Sequence, residues 1–342
     1  MAYQVVGTPR FFVNMLEWGA STGEVNLTSD IWRTLPVNPI TVESSIQQTA
    51  ANVTLPFLGS DNNVAGNNRD FIAILGHNLA QSVGYFALSQ VAGSSFNNTL
   101  ELTEIVNLGV LNSADTAFAY DVQYNGFTIA SFDGSGNNGI EYMPQYALQE
   151  IGSIVVGSFY EMPHSPDLSL TLSREYGGTK TIETKGGSSL SNTTWRKPTN
   201  WGSAASWELW YGSGSPQSLS QTGRRIWDLS FSYLDRGDVW GSNQTLLKGT
   251  DSAFAYSVDV DAYDTGDLQS DGKDFSFNVL TDYSFYSQVI HKTNGGQLPF
   301  IFQPNKDDNT VFAICKLDMK SIKFDQVANG VYNVKLKIRE VW

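Results

Sequence analysis

Apolar and polar residues alternate with period two along much of the chain, and that period predicts strands. In the N-terminal half Leu100 and Leu102 stand against Glu101 and Thr103, and Phe118-Ala119-Tyr120-Asp121-Val122-Gln123-Tyr124 sets its large apolar side chains on one face. The run from Phe127 to Phe132 follows Asn125-Gly126, and Asn-Gly between alternating runs predicts a hairpin. The C-terminal half alternates more cleanly. Leu168, Leu170 and Leu172 oppose Ser169, Thr171 and Ser173; Trp227, Leu229, Phe231 and Tyr233 oppose Asp228, Ser230 and Ser232. Phe254, Tyr256, Val258 and Val260 repeat the pattern, as do Val311, Ala313, Cys315, Leu317 and Met319, and finally Val334, Leu336 and Ile338 against Lys335, Lys337 and Arg339. Each run predicts a strand with one buried and one wet face.

Helical signals are few. Short helices are expected around Ile74 to Ser82 and Gln145 to Ile151, and one in the C-terminal half, with Asp282 as N-cap, a body over 283–292 and Gly295-Gly296 as its stop. Pro163 and Pro166, three residues apart, bias Glu161 to Asp167 toward an extended path. The expected fold is therefore all-β: two β-sandwich or jelly-roll-like domains, 1–162 and 167–342, joined by a linker at 163–166 and covered by one or two short helices. Asp115 to Val122 and Asp251 to Val258 share a D-[TS]-A-F-A-Y-x-V pattern, but their flanks do not align, so this reads as two similar amphipathic strands.

Composition sharpens the class. Only 16% of the 342 residues are charged while 13% are aromatic, and 31 are glycine, a balance of short strands and polar turns. The net charge of −13 argues against a surface that tracks phosphates, so nucleic acid is not an expected partner. One cysteine, Cys315, excludes an intrachain disulfide and a cysteine zinc site. The start, Met1 to Gly7, carries neither a basic nor an apolar leader region, and no apolar run approaches membrane-spanning length. The chain is thus expected to fold in the cytoplasm, where triplets such as Asn52-Val53-Thr54 and Asn192-Thr193-Thr194 meet no glycosylation machinery.

Candidate chemistry is sparse. Gly134-Ser135-Gly136-Asn137-Asn138-Gly139 fits a dinucleotide fingerprint, but Pro144 follows and no βαβ pattern surrounds it, so a loop is expected. The acidic run Asp259, Asp261, Asp264, Asp267, Asp271 and Asp274 could offer oxygens to Ca²⁺, but it breaks the EF-hand register and reads as a solvated loop. Arg236-Gly237-Asp238 reads as a turn after the strand ending at Leu234. Glu141, Glu150, Glu161, Asp228 and Asp238 could supply a glycosidase pair only if two of them converge, which spacing cannot show. His77, past an apolar run, reads as a turn histidine bonded to local backbone. No catalytic residue, cofactor or metal site is assigned.

Two features remain as binding candidates. Six of the nine tryptophans fall between residues 195 and 240. Trp227 is in phase with Leu229 and Phe231 and belongs to a core, whereas Trp201, Trp207 and Trp210, in a Gly/Ser-rich stretch, are candidates for a partner or glycan surface. Lys335, Lys337 and Arg339 form a positive row on an acidic chain, with Lys316, Lys320 and Lys323 nearby. The row either protects an exposed edge strand from aggregation or meets an acidic face during assembly.

Three phrases carry a resemblance. Asp70-Phe71-Ile72-Ala73-Ile74-Leu75-Gly76-His77-Asn78-Leu79-Ala80, set after Trp32-Arg33 and Pro36-Val37-Asn38-Pro39, resembles the strand-turn segment of galactose-binding or discoidin-like jelly rolls in tailed-bacteriophage virion proteins. Arg224 to Leu234 and Pro299-Phe300-Ile301-Phe302-Gln303-Pro304 resemble stretches of phage tail-associated proteins. The resemblance implies a non-enzymatic structural component of a tailed-phage particle, in the tail or tail tip, folded in the bacterial cytoplasm before assembly. Its implied partners are other virion proteins and further copies of itself, in a ring or other symmetric assembly, with a host surface glycan as a further partner. Two other readings stand beside it: a glycan-binding module for host adsorption, motivated by the tryptophans, and a polysaccharide hydrolase, motivated by aromatics and carboxylates.

Overall fold

A computed structural model describes residues 6–23, 43–44, 51–54, 70–75, 84–90, 98–101, 111–112, 116–122, 126–131, 150–168, 170–175, 179–193, 224–239, 283–309 and 311–341. These residues are strand-dominated and the fold is all-β. The strands of the first half are β1 (Arg10–Val13), β2 (Glu43–Ser44), β3 (Ala51–Thr54), β4 (Asp70–Leu75), β5 (Gly84–Gln90), β6 (Asn98–Glu101), β7 (Leu111–Asn112), β8 (Thr116–Val122), β9 (Gly126–Ser131), β10 (Glu150–Ile151) and β11 (Ser153–Glu161). Those of the second are β12 (Thr171–Glu175), β13 (Thr179–Glu183), β14 (Ser189–Thr193), β15 (Arg224–Asp235), β16 (Phe300–Gln303), β17 (Ala313–Leu317), β18 (Phe324–Ala328) and β19 (Val331–Glu340). Helix α1 spans Met15–Thr22, the single turn α2 spans Arg236–Val239, and a π-helix spans Tyr286–His291.

One large antiparallel sheet runs in the order β12-β15-β19-β17-β16-β1-β11-β4-β8-β7, with β18 also paired to β19. A second sheet has the order β3-β9-β5-β6, and β2–β10 and β13–β14 form separate two-stranded pairs. The N-terminal strand β1 sits in the middle of the large sheet, Phe11 opposite Tyr160 on one side and Phe302 on the other. Alternation along β1 therefore serves two cores. Phe11 and Val13 enter a cluster with Tyr160, Trp227, Phe285 and Phe302, while Phe12 enters one with Phe71, Phe118, Phe159, Ile301 and Phe312. Strands near this centre are covered on both faces, which is why Phe71–Leu75 reads as an unbroken apolar run and is buried throughout.

The sheet does not break at 163–166. Both cores combine residues from before and after that segment, and the β1–β16 ladder joins the two halves. Along this segment Pro163 is exposed and Pro166 buried, the Thr8 and Ser165 hydroxyls lie 3.3 Å apart, and Asp167 N–H donates to Ser230 O.

Several local expectations change. Asn125-Gly126 does not close a hairpin between its flanking strands, because β8 pairs with β4 and β7 while β9 pairs with β3 and β5. The ladder with β4 buries Phe118 completely, and that burial outweighs the local turn signal. Ile74 and Leu75 belong to β4, and Glu150–Ile151 to β10, rather than to helices; the rest of those two candidate helices lies outside the described residues. The helix α1 was not expected, although its signals are present. The Asn14 side-chain oxygen accepts from Glu17 N–H at 3.4 Å, and Gly23 ends the helix with φ 81°. Gly157 lets the end of β1 and the start of this helix approach β11 closely, since a Cβ there would collide with Val13 O and crowd Met15.

In the C-terminal half the helix expected over 283–292 is present in shorter form, as the π-helix Tyr286–His291 with Phe285 at its cap position and the turn that follows it, with Gly295 and Gly296 at φ 74° and 88°; the expected cap Asp282 lies outside the described residues. Trp227, Leu229 and Phe231 are buried as expected, but Tyr233 is exposed and Leu234 is buried instead. A bulge between Phe231 and Leu234 shifts the phase by one residue. Leu168 and Leu172 are exposed, so their run has no fully buried face. The repeat at Asp251 to Val258, the Gly134 to Gly139 loop, the Asp259 to Asp274 run and His77 lie outside the described residues.

Candidate functional site

Of the two binding candidates, the described residues contain the row on β19. Alternation buries Val334, Leu336 and Ile338, and so turns Lys335, Lys337 and Arg339 to the opposite face. Cross-strand register extends that face: Ser230, Asp228 and Ile226 of β15 lie opposite Lys335, Lys337 and Arg339, Thr171 and Ser173 of β12 continue it, and Lys316 of β17 lies opposite Arg339. The result is a polar, mainly basic outer face on the half of the sheet whose inner face carries Trp227 and Phe231.

Two parts of the expectation need correcting. β19 is not an edge strand, because it pairs with β15 on one side and with β17 and β18 on the other. Protection of an open edge therefore cannot be the role of its lysines. The row is also partly neutralised within the chain. Lys337 Nζ lies 3.6 Å from Asp318 Oδ2, and Arg339 Nη2 is paired with Glu175 Oε2. Lys335 is exposed and has a serine, Ser230, as its neighbour on β15. Exposed pairs of this kind are weak and easily exchanged for a partner's carboxylates.

A second polar cluster, which sequence reasoning missed, closes one end of β1. Glu161 accepts from Arg10 Nε at 2.8 Å and from Lys306 Nζ at 2.7 Å, and its backbone N–H donates to the Tyr283 hydroxyl at 2.9 Å. Burial raises the Glu161 pKa, but the bonds from Lys306 and Arg10 outweigh it and hold the carboxyl below its ordinary range. Gln303, in register with Arg10, clamps the next loop by donating from Nε2 to Asp308 O at 3.0 Å and Asn309 Oδ1 at 3.2 Å. Nothing in the spacing of Arg10, Glu161 and Lys306 announces this cluster, because the sheet alone brings the three together.

The other described carboxylates considered as an acid pair lie on separate elements. Asp238 Oδ2 accepts from the N–H of Asp235, the last residue of β15, at 3.2 Å, and Arg236-Gly237-Asp238 lies in the single turn α2. Burial, joined by the nearby Asp235 charge, raises the Asp238 pKa. Asp228 faces Lys337 across the ladder, and Glu150 lies in β10. Glu141, Trp201, Trp207 and Trp210 lie outside the described residues. Among the described residues no group of three or more His, Cys, Asp or Glu is arranged to hold a metal ion, and no helix is long and apolar enough to cross a membrane. Comparison with known proteins finds no matching family model, no matching curated protein and no matching solved structure.

Proposed function

We propose that this chain is a non-enzymatic structural component of a tailed-phage particle, in the tail or tail tip, folded in the host cytoplasm and assembled by contacts with its own copies and other particle proteins. One observation carries the reading. The three phrases that resemble phage virion proteins lie far apart in sequence, yet all contribute strands to the large sheet: Asp70–Leu75 is β4, Arg224–Asp235 is β15 and Phe300–Gln303 is β16. The described parts of all three phrases therefore belong to one sheet.

The basic outer face adds support. A net charge of −13 keeps copies apart in solution, so a local cationic face on an interior strand has a use in attracting an acidic neighbour and setting its orientation. Mass spectrometry of purified particles tests the main reading: the protein should be present in stoichiometric amount, and its absence rejects the proposal. Lys335→Glu together with Lys337→Glu should leave the isolated chain folded by circular dichroism but keep it out of particles. Normal incorporation of that variant rejects the basic face as the assembly contact.

A further inference from the structure

Asn-Gly pairs stand at 125–126, 138–139, 294–295 and 329–330. In such a pair the main-chain nitrogen of the glycine reaches the asparagine side-chain carbonyl most readily, because no Cβ stands in the way. Asn125, Asn138 and Gly139 lie outside the described residues, so the comparison is between the last two pairs.

Exposure does not separate them. Asn294, Gly295 and Asn329 are all exposed, and Gly295 and Gly330 take φ values of 74° and 76°. Hydrogen bonding does. Gly295 N–H donates to Ile290 O at 2.8 Å at the end of the π-helix, and the Asn294 side-chain amide donates to Ser21 Oγ on α1 at 3.2 Å. The segment around them is tied as well, since Asn294 N–H donates to His291 O at 3.1 Å and Leu298 N–H to Thr293 O at 2.9 Å. Both groups that would have to react at 294–295 are therefore held.

Asn329 and Gly330 form the two-residue turn between β18 and β19, where Ala328 lies opposite Val331. Among the described residues neither the Asn329 side chain nor the Gly330 N–H has a hydrogen-bond partner. The strand before the turn is lightly anchored: β18 pairs with β19 alone, four of its five residues are exposed, and its register shifts between Gln326 and Ala328. A hairpin of this kind opens locally at little cost.

We propose that Asn329 is a self-modifying site, converted without an enzyme to aspartate and isoaspartate, that this conversion loosens the β18–β19 hairpin, and that Asn294 is protected. The inference is independent of the assembly reading. Gly330 N loses its proton to solvent and attacks Asn329 Cγ; the Cγ–Nδ2 bond breaks, Nδ2 takes up a proton, and ammonia leaves a cyclic imide. Water then opens the ring, at Cγ to give aspartate or at the main-chain carbonyl to give isoaspartate, so one water is consumed for each ammonia released. Either product adds a negative charge to a turn whose next residue, Val331, lies opposite Asp235. Isoaspartate also lengthens the main chain of the turn by one carbon, which disturbs the pairing of Ala328 with Val331.

The test ages the full-length protein in warm, mildly alkaline buffer beside a sample kept unfolded in urea, and reads each site by peptide mass spectrometry. In urea the two sites should convert at similar rates. In the folded chain Asn329 should convert about tenfold or more faster than Asn294, the effect of one or two hydrogen bonds that must break before attack. The Asn329 peptide should also become a substrate for isoaspartyl methyltransferase with S-adenosylmethionine. Equal folded-state rates at the two sites, or faster conversion at Asn294, overturn the proposal. Hydrogen exchange across Phe324–Ala328 should be faster in the aged wild type than in an equally aged Asn329→Ser variant, and equal exchange overturns the loosening of the hairpin.

Discussion

Arg225 and Glu340 meet across the β15–β19 ladder in a two-pronged ion pair, with Nη2 donating to Oε1 at 2.8 Å and Nε to Oε2 at 3.0 Å. The Arg225 backbone N–H donates to the same Oε2 at 2.9 Å, Nη2 also reaches Phe312 O at 3.0 Å, and the guanidinium carbon lies 5.4 Å from the centre of the Trp227 ring. Burial opposes the charge on Arg225, but Glu340 outweighs it and holds the guanidinium pKa above its ordinary value. Cys315 lies opposite Glu340 in register, and burial together with that carboxylate pushes its thiol well up, so it stays protonated and inert.

Breaking this pair leaves a largely desolvated charge without its counterion. Glu340→Gln and Arg225→Met should each cost about 3–5 kcal/mol of stability, measured by denaturant unfolding. Arg225→Met combined with Glu340→Gln should cost clearly less than the sum of the two single losses, because neither charge is then stranded. Strictly additive losses would show that the two side chains do not act as a pair.

Phe12 ties the halves of the molecule together, with ring centroids 5.2 Å from Phe71 and Phe118, 5.1 Å from Phe159 and 6.1 Å from Phe312. Phe12→Ala should therefore lower stability by about 3–5 kcal/mol, and the whole sheet should respond as one unit. Circular dichroism and tryptophan fluorescence should give coincident urea transitions, and a chain cleaved at 163–166 should hold its two fragments together on a sizing column. Separate transitions, or fragments that part after cleavage, would mean that the two halves fold independently.

What the sequence made legible follows from where each residue's partner lies. β19 could be read from Val334, Leu336 and Ile338, since a strand with one wet face declares its phase locally. The phase at Tyr233 was hidden because the extra residue shows only in the register with β19, where Leu234 lies opposite Tyr332. Asn125-Gly126 could not reveal that β4 and β5 claim its flanking strands. Asn14, Glu17 and Gly23 did mark α1, and their spacing could have found it. The basic row was legible as a row, but its place in the interior of the sheet depends on β17 and β18, which only the folded chain supplies.

Acid should weaken the fold in a defined window. Glu161 is held below its ordinary value of 4.5, so the unfolded state binds its proton first; the stabilisation is complete above 4.5 and is lost as pH falls through the lower folded value. His291 acts in the same direction at higher pH. Partial burial, and then the Lys292 charge, place its pKa below 6.5, so protonation begins to favour the unfolded chain as pH drops under 6.5. Glu161→Gln should flatten the lower limb of a stability–pH curve and His291→Gln the upper one. Unchanged limbs would show that these groups do not carry the dependence.

Tyr233 sits at φ 62° in the bulge of β15, its N–H donating to Asn333 Oδ1 at 3.1 Å and its ring 80% exposed. A side chain in this left-handed region costs about 1–2 kcal/mol relative to glycine, and a β-branched one is the least tolerated there. The exposed ring returns little of that cost. Tyr233→Gly should therefore be close to wild type in stability, because relief of the backbone offsets the greater freedom of glycine in the unfolded chain. Tyr233→Val should be less stable than Tyr233→Gly by about 1–2 kcal/mol, although valine is the better strand former in a regular ladder. Asn333→Ala should cost about 1 kcal/mol by leaving the Tyr233 N–H to solvent. If valine instead proved as stable as glycine, β15 would run through this position as regular strand, and Leu234 could not take the buried place that the alternating sequence assigns to Tyr233.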